Sequence, residues 1–218
     1  ADHHGHVARL QAALDGLGLD GSHRLVVVLM QLVNLLQDGK PVRMSKRSGK
    51  AIALHDLLDE ISVDAARYFF NSRSSNSPLD FDLDLAVRED SDNPVYYVQY
   101  AHARICSLIA KLAEEGAAVP AAGDVDAALL FQPEEKALLK ALSMLLEEIR
   151  LAARDYDASR INRYLVELSG DFHRFYNACR IREEAPALRD ARLKLADTTR
   201  AVIAGGLGLL GVSAPEKM

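Results

Sequence analysis

Tryptophan is absent from the 218 residues, aromatic residues make up only 6% of them, and the cysteines are two, Cys106 and Cys179. So few cysteines exclude a disulfide scaffold and are typical of reduced core residues in a cytoplasmic protein. Long apolar runs are also missing, since the uncharged stretch from Leu25 to Gln37 is too short to span a bilayer. No signal peptide is visible. The chain begins at Ala1 without a Met, which suggests an excised piece of a cytoplasmic, non-membrane protein.

A surplus of basic charge is missing as well. There are 26 Lys and Arg against 31 Asp and Glu, a net charge of −5, with 49% apolar residues. This average argues against a dedicated nucleic-acid binder, but it conceals local differences. Residues 51–92 hold ten acidic and three basic side chains, whereas residues 43–50 hold four basic ones and no acidic one. The length suits one large domain or two small ones.

The first 92 residues predict a small α/β unit. Helical spacing runs from His4 to Leu17, and the β-branched stretch Arg24 to Leu36 is typical of a strand buried on both faces. Asp38-Gly39 indicates a hairpin turn. Two short helices should follow, Leu54 to Ile61 and Val63 to Asn71, the second capped by Ser62. The Ser- and Asp-rich stretch 71–92 is interpreted as a surface connector, in which alternating apolar residues favour an extended chain.

Residues 93–218 predict an antiparallel bundle of four amphipathic helices. Asn93 and Pro94 supply an N-cap and a first helical residue for a long helix up to Glu115. The other three are expected to open at Pro133, to be capped by Ser159, and to run from about Leu188 to Ala204 before Gly205-Gly206. The fold class is therefore mainly α: a helical bundle preceded by a small α/β remnant, with a domain boundary at residue 92.

The most specific chemical signal is the basic loop between the strand and the short helices. Its cations can neutralise phosphate charge, and Gly49 lets the backbone approach a ligand. The loop lacks the spacing of a P-loop. A solvated basic turn would be the default interpretation of such a tract in an arbitrary sequence. Three nearby histidines, His3, His4 and His6, lack a Cys or acidic partner at zinc-site spacing, so no metal site is predicted.

The sequence Arg43-Met44-Ser45-Lys46-Arg47-Ser48 resembles the KMSKS loop of class I aminoacyl-tRNA synthetases, in the form seen in bacterial arginyl-tRNA synthetases. The resemblance extends over essentially the whole chain. It is carried further by these segments: Asp2–Gly5, Gln31–Leu35 with Asp38-Gly39, Asp64–Phe69, Asn93–Ile105, Gly206–Val212 and Met218. Cysteinyl- and methionyl-tRNA synthetases share the loop and the bundle, but they usually carry Lys-Met-Ser-Lys-Ser. As matches to this sequence they therefore rank well below the arginyl-tRNA synthetases.

This resemblance implies an ATP site in the loop. Lys46 matches the second consensus lysine and should contact the ATP phosphates, with Mg²⁺ accompanying the ATP. Arg43 replaces the first lysine, Ser45 and Ser48 shape the loop, and Met44 and Arg47 complete it. The family's HIGH motif is missing, because His3-His4-Gly5-His6 precedes the last strand of the nucleotide-binding fold instead of following the first. A fragment of this kind is not expected to aminoacylate alone.

An aromatic and cationic helix face points to RNA. Tyr97, Tyr100 and Arg104 lie at i, i+3 and i+7, where they can stack splayed bases and hold phosphates. His173, Arg174 and Asn177 form a second cluster able to face RNA, and the resemblance brings Met218 to the anticodon loop. Alternatively, Tyr96 or Tyr100 packs against the catalytic domain with its hydroxyl hydrogen-bonded, and we expect this of at least one residue of the face.

The resemblance therefore implies a C-terminal fragment of a bacterial-type arginyl-tRNA synthetase, an arginine–tRNA ligase. Residues 1–92 would be the end of its catalytic domain and residues 93–218 its anticodon-binding domain. The implied partners are arginine tRNA, ATP and L-arginine, and the family expectation is a cytoplasmic monomer without membrane association. Two other hypotheses remain open: a freestanding helical RNA- or protein-binding module, and a purely structural bundle.

Overall fold

A computed structural model describes residues 3–42, 52–182 and 184–218. The loop Arg43–Ser48, which includes the predicted ATP-contacting Lys46, lies outside the described residues, as does Asp2. In the described part, mainly helical structure with a small sheet confirms the predicted fold class. None of the helices in these ranges combines the length and the apolar character needed to cross a membrane.

The N-terminal part contains short helices around a small sheet. The elements are α1 His4–Gly16, α2 Gly21–Arg24, β1 Val33–Gln37, β2 Lys40–Pro41, α3 Leu54–Leu58, α4 Val63–Phe70, β3 Leu79–Asp82 and α5 Leu83–Ala86. In the described ranges the sheet order is β2-β1-β3, with β2 antiparallel and β3 parallel to β1. Asp38 and Gly39 have φ of 52° and 68°, so the predicted two-residue hairpin is confirmed. Ser62 caps α4 as predicted, since its hydroxyl accepts a hydrogen bond from the amide of Ala65.

The prediction of a strand buried on both faces is wrong. Residues 25–32 precede β1 without strand pairing, and half-buried and exposed positions alternate along them. The exposed positions are Val26, Val28, Met30 and Leu32. Burial of a second sheet face needs a covering layer, and the described residues place none there. The apolar pattern correctly predicted a strand at its C-terminal end, β1, but not the exposure of the residues that precede it.

The stretch 71–92 is also more than a surface connector. Leu79 and Phe81 on β3 and Leu83 on α5 are buried, and Leu35 of β1 is paired with Phe81. The alternation of apolar residues predicted the extended chain correctly. Its many carboxylates suggested a solvated segment, but they alternate with apolar side chains that pack into the core.

The C-terminal part is a bundle of long helices. They are α6 Pro94–Glu114, α7 Pro133–Ser143, α8 Leu145–Asp155, α9 Ser159–Ala178 and α10 Pro186–Leu209, with short 3₁₀ turns at Ala122–Asp124 and Ala127–Leu129. Asn93 caps α6 as predicted. The helix opened by Pro133 is divided at Met144 into α7 and α8. Ser159 is the first residue of α9 instead of its cap, and its amide and hydroxyl both donate to Asp157.

Gly205-Gly206 does not end the last helix, contrary to the prediction. Helix α10 continues to Leu209, and a left-handed residue, Gly211 with φ of 68°, follows it. The reason is packing against α9: a Cβ on Gly206 would lie 2.6 Å from the Leu165 side chain. Here glycine permits two helices to approach closely, and this contact outweighs its poor helix propensity.

Hydrogen bonds and a shared core join the parts on either side of residue 92. Asn162 of α9 donates to the carbonyl of Tyr68 at 2.9 Å, and the Tyr68 hydroxyl donates to the carbonyl of Asn162 at 3.3 Å. Asp64 of α4 accepts from the amide of Ser213 at 3.1 Å and from Gln99 of α6 at 2.9 Å. Buried apolar residues from both sides form one cluster. The domain boundary at residue 92 stays a prediction.

Candidate nucleic-acid interface

Helix α6 presents the three residues that the sequence placed on one face. Its N-terminus is fixed by the buried Asn93, whose side chain accepts from the amide of Val95 and donates to the carbonyl of Arg88. The opposite face of α6, which includes Val98 and Ile105, is completely buried in the core. The rotation of the helix is therefore set by its apolar face, and the polar face is directed away from the core.

His173 of α9 meets all three of these residues. Its ring centroid lies 5.1 Å from that of Tyr97 in an edge-on arrangement and 6.0 Å from that of Tyr100. Its Nδ1 lies 3.3 Å from Nη1 of Arg104. We call Tyr97, Tyr100, Arg104 and His173 the tyrosine–histidine face. Tyr100 is 42% exposed, and the other three are half-buried. Flat rings and a guanidinium at a surface offer stacking platforms for unpaired bases.

The contact with Arg104 determines the state of the imidazole. Because a guanidinium can only donate, Nδ1 of His173 accepts, and the ring proton sits on Nε2. Burial, and secondly the charge of Arg104, lower the pKa of His173 to about 4. The ring is thus neutral at pH 7, with an Nε2–H group as a hydrogen-bond donor.

This lowered pKa predicts a loss of stability in mild acid. Between about pH 6.5, the ordinary histidine value, and about 4, the unfolded chain binds a proton that the folded chain excludes. Stability should therefore be complete above pH 6.5 and decrease as the pH falls toward 4. Thermal unfolding of the wild type and of His173→Gln, followed from pH 7.5 to pH 4.5, checks this. The wild type should lose more melting temperature than the variant, whereas parallel curves would reject the assignment.

Tyr176 belongs to the same surface, although the sequence patterns described above did not single it out. The Arg104 guanidinium carbon lies 4.1 Å from the centroid of the Tyr176 ring, a cation–π contact. Tyr176 is half-buried and also packs on Phe172. Its position three residues after His173 was the available sequence signal, since that spacing puts two residues on neighbouring parts of one helix face.

Other predicted site residues lie around this face. Arg174 is exposed and forms an ion pair with Asp171. Arg174 and the Tyr97 hydroxyl come close above Gly170, where a Cβ would lie 3.5 Å from each. Asn177 is exposed one turn beyond His173, without a described contact to the face. Their role in RNA binding stays a prediction.

Met218 is brought close by the C-terminal tail, which returns along α6. Gln99 donates to the carbonyl of Ser213 at 3.0 Å, and His102 Nδ1 lies 2.9 Å from the carbonyl oxygen of Pro215. Met218 is 53% exposed and lines a cavity of about 490 Å³ together with Tyr96, whose ring stacks on that of Tyr100. Met218 therefore lies beside the tyrosine–histidine face.

Comparison with known proteins gives the class. Residues 98–218, more than half of the chain, match the family described as the DALR anticodon binding domain. The chain therefore belongs to this family of helical anticodon-binding domains.

Curated relatives of the chain are arginine–tRNA ligases. The whole chain is 52% identical to an arginine–tRNA ligase of Ruminiclostridium cellulolyticum and 51% identical to one of Acetivibrio thermocellus. It spans 38% of the length of each and corresponds to their C-terminal part. All of the chain also matches 46% of a crystallised putative arginyl-tRNA synthetase from Campylobacter jejuni, with 35% identity and a TM-score of 0.88. A Thermus thermophilus arginyl-tRNA synthetase shares the fold, with a TM-score of 0.80 at 24% identity.

Proposed function

We propose that this chain is the anticodon-binding part of an arginine–tRNA ligase, joined to the end of its catalytic domain. The observation that carries the proposal is the meeting of Tyr97, Tyr100 and Arg104 with His173, which comes from a helix about seventy residues further along the chain. In a family of anticodon-binding domains, this group of rings and a guanidinium supplies the contacts that an unpaired RNA loop requires.

The chemistry of binding follows from the side chains. Anticodon bases that leave their stack would lie on Tyr97 or Tyr100, while Arg104 neutralises a backbone phosphate. The Nε2–H of His173, the Arg174 guanidinium and the Asn177 amide would donate or accept at base edges. Met218 would pack against a base from the side of Tyr96.

For the whole enzyme we propose the reaction of its relatives. The carboxylate of L-arginine attacks the α-phosphate of ATP, which gives arginyl-adenylate and pyrophosphate. A terminal ribose hydroxyl of arginine tRNA then attacks the adenylate carbonyl and releases AMP. Lys46 and Arg43 of the Arg43–Ser48 loop would neutralise the ATP phosphates, with Mg²⁺ accompanying the nucleotide. A cytoplasmic monomer is part of the same proposal.

A binding titration tests the proposal with the 218-residue chain. A labelled anticodon stem-loop of arginine tRNA is titrated at several salt concentrations and compared with a stem-loop of the same stem but a different anticodon. We expect tighter binding of the arginine stem-loop, with a log-linear decrease as salt rises because phosphate contacts release counterions. Equal affinity for both RNAs would refute anticodon recognition, and absence of binding would refute RNA binding altogether.

A further inference from the structure

A second RNA-facing feature lies directly beside the tyrosine–histidine face. A cavity of about 470 Å³ opens between the C-terminal half of α6 and the segment that follows α9. Arg104 and Lys111 line it from α6, and Arg180 and Arg182 from the segment after α9. We call it the basic cavity. Apolar residues line it as well, Leu108 and Ile181 among them.

The charge of this cavity differs from that of the chain. Among its described lining residues none is acidic, although the protein as a whole carries a net charge of −5. Arg182 pairs with Glu115 at the rim. Lys111 is exposed and has no ion-pair partner within the described ranges. Four basic side chains grouped beside apolar ones are the arrangement expected for an anionic ligand with a less polar part, such as a sugar phosphate.

Several other arginines of the bundle are paired with nearby carboxylates. Arg150 binds Glu147 through two hydrogen bonds of 2.8 and 2.7 Å, and Arg200 binds Asp197 at 2.7 Å. Arginine on these helices is therefore mostly balanced locally. Lys111 has no such carboxylate partner within the described ranges.

The wall of the cavity is held in place from the core. Arg192, which is almost fully buried, donates to the carbonyl of Arg180 at 2.6 Å. This bond fixes the backbone of the segment after α9 that carries Arg180 and Arg182. A cavity whose wall is anchored in this way is preformed, so little ordering entropy is lost when a ligand enters.

Continuity with the neighbouring face indicates the ligand. Arg104 belongs to both sites, and Tyr176, which stacks under its guanidinium, lines the basic cavity. An RNA strand with a base on Tyr97 or Tyr100 that runs toward the C-terminus of α6 passes Arg104, and the basic cavity is the next surface along this helix. We propose that this cavity binds the phosphate and ribose of the RNA backbone adjoining the stacked bases, a sequence-independent contact led by Lys111. This inference rests on the proposed function.

The test compares Lys111→Ala with Lys136→Ala, which removes an exposed lysine of α7 that lines none of the described cavities. Both are titrated with the arginine anticodon stem-loop over a range of salt. We expect Lys111→Ala to weaken binding about three- to tenfold, and to reduce the slope of log K against log salt by about 0.7 to 1, the value for one lost phosphate contact. Lys136→Ala should match the wild type.

A change in the RNA locates the contact. Stem-loops are prepared with a single 2′-O-methyl methylphosphonate linkage, which removes one backbone charge, at successive positions, each beside a 2′-O-methyl phosphate control. One position should weaken binding to the wild type and have no further effect on Lys111→Ala. If the wild type binds and Lys111→Ala keeps its affinity and salt slope, the inference is refuted while the proposed function stands. If the wild type binds no stem-loop, both are refuted.

Discussion

Glu135→Ala is expected to destabilise the protein by about 3 kcal/mol, because it removes the fully buried partner of the Arg192 guanidinium and leaves only the half-buried Glu184, 3.0 Å from its Nη1. Glu135 is completely buried, and its Oε1 lies 2.6 Å from Nε of Arg192, whose side chain is 5% exposed. Its Oε2 accepts from the amide of Gln132 at 2.8 Å, which closes the first turn of α7. Domains have a total stability of about 5–15 kcal/mol, so such a loss is a large share of it.

Urea unfolding followed by circular dichroism measures this loss. The matched control is Glu147→Ala, which breaks the exposed pair with Arg150 on α8 and should leave the midpoint nearly unchanged. The double variant Glu135→Leu/Arg192→Met should recover part of the lost stability, because neither apolar side chain needs a counter-charge. Recovery is incomplete because the bonds to the Gln132 amide and to the Arg180 carbonyl are still lost. A Glu135→Ala midpoint equal to that of the wild type would contradict the importance of the pair.

This ion pair had no signal in the sequence. Glu135 and Arg192 are separated by more than fifty positions, and each has the sequence surroundings of a solvated helix face. Their burial depends on how α7, α9 and α10 pack, which local periodicity does not determine. The close contact of Gly206 with Leu165 has the same origin: a glycine pair that normally indicates a helix end marks a helix crossing here.

The sequence predicted the part of the candidate interface that lies on the single helix α6. The period of the α-helix puts Tyr97, Tyr100 and Arg104 on one face, and Asn93-Pro94 fixes where that helix begins. His173 was identified as part of an aromatic and basic cluster. Its contact with Arg104, and therefore its lowered pKa, depends on the rotation of α9 against α6, which the buried side chains of both helices set. Tyr176 was missed for the same reason.

The N-terminal part shows a different limit of prediction from sequence. The sequence of residues 25–36 is typical of a buried strand, yet the structure exposes alternate side chains along it. Strand propensity describes the fit of a side chain to a sheet, while burial also depends on which other layer is present. The apolar pattern of one segment does not reveal which helices or strands pack against it.

Arg104→Ala is expected to weaken binding of the arginine anticodon stem-loop about 10- to 100-fold, the effect of losing one hydrogen bond between charged groups worth about 1.5–3 kcal/mol. Arg104 joins three features: it donates to His173, it lies over Tyr176, and it lines the basic cavity. Its removal takes away a phosphate-neutralising charge and also the group that orients the imidazole. The effect should therefore exceed that of Lys111→Ala, which removes charge alone. Fluorescence anisotropy against labelled stem-loop measures it.

Arg104→Lys separates the two contributions. The lysine keeps the charge but lacks the planar fork that both donates to His173 and stacks on Tyr176. We expect a salt slope near that of the wild type with an affinity between those of wild type and Arg104→Ala. Arg150→Ala, an exposed arginine of α8, serves as the matched control. An Arg104→Ala protein that is folded and binds like the wild type would reject the interface.

A readout without RNA checks the same contact. The charge of Arg104 contributes to the lowered pKa of His173, so Arg104→Ala should move that pKa upward from about 4. Proton NMR titration of the His173 ring measures it. Burial remains in the variant and is the larger cause, so the pKa should stay below its ordinary value. A rise together with weaker RNA binding would show that Arg104 acts on the imidazole as well as on the phosphate, whereas an unchanged pKa would leave only the direct phosphate contact.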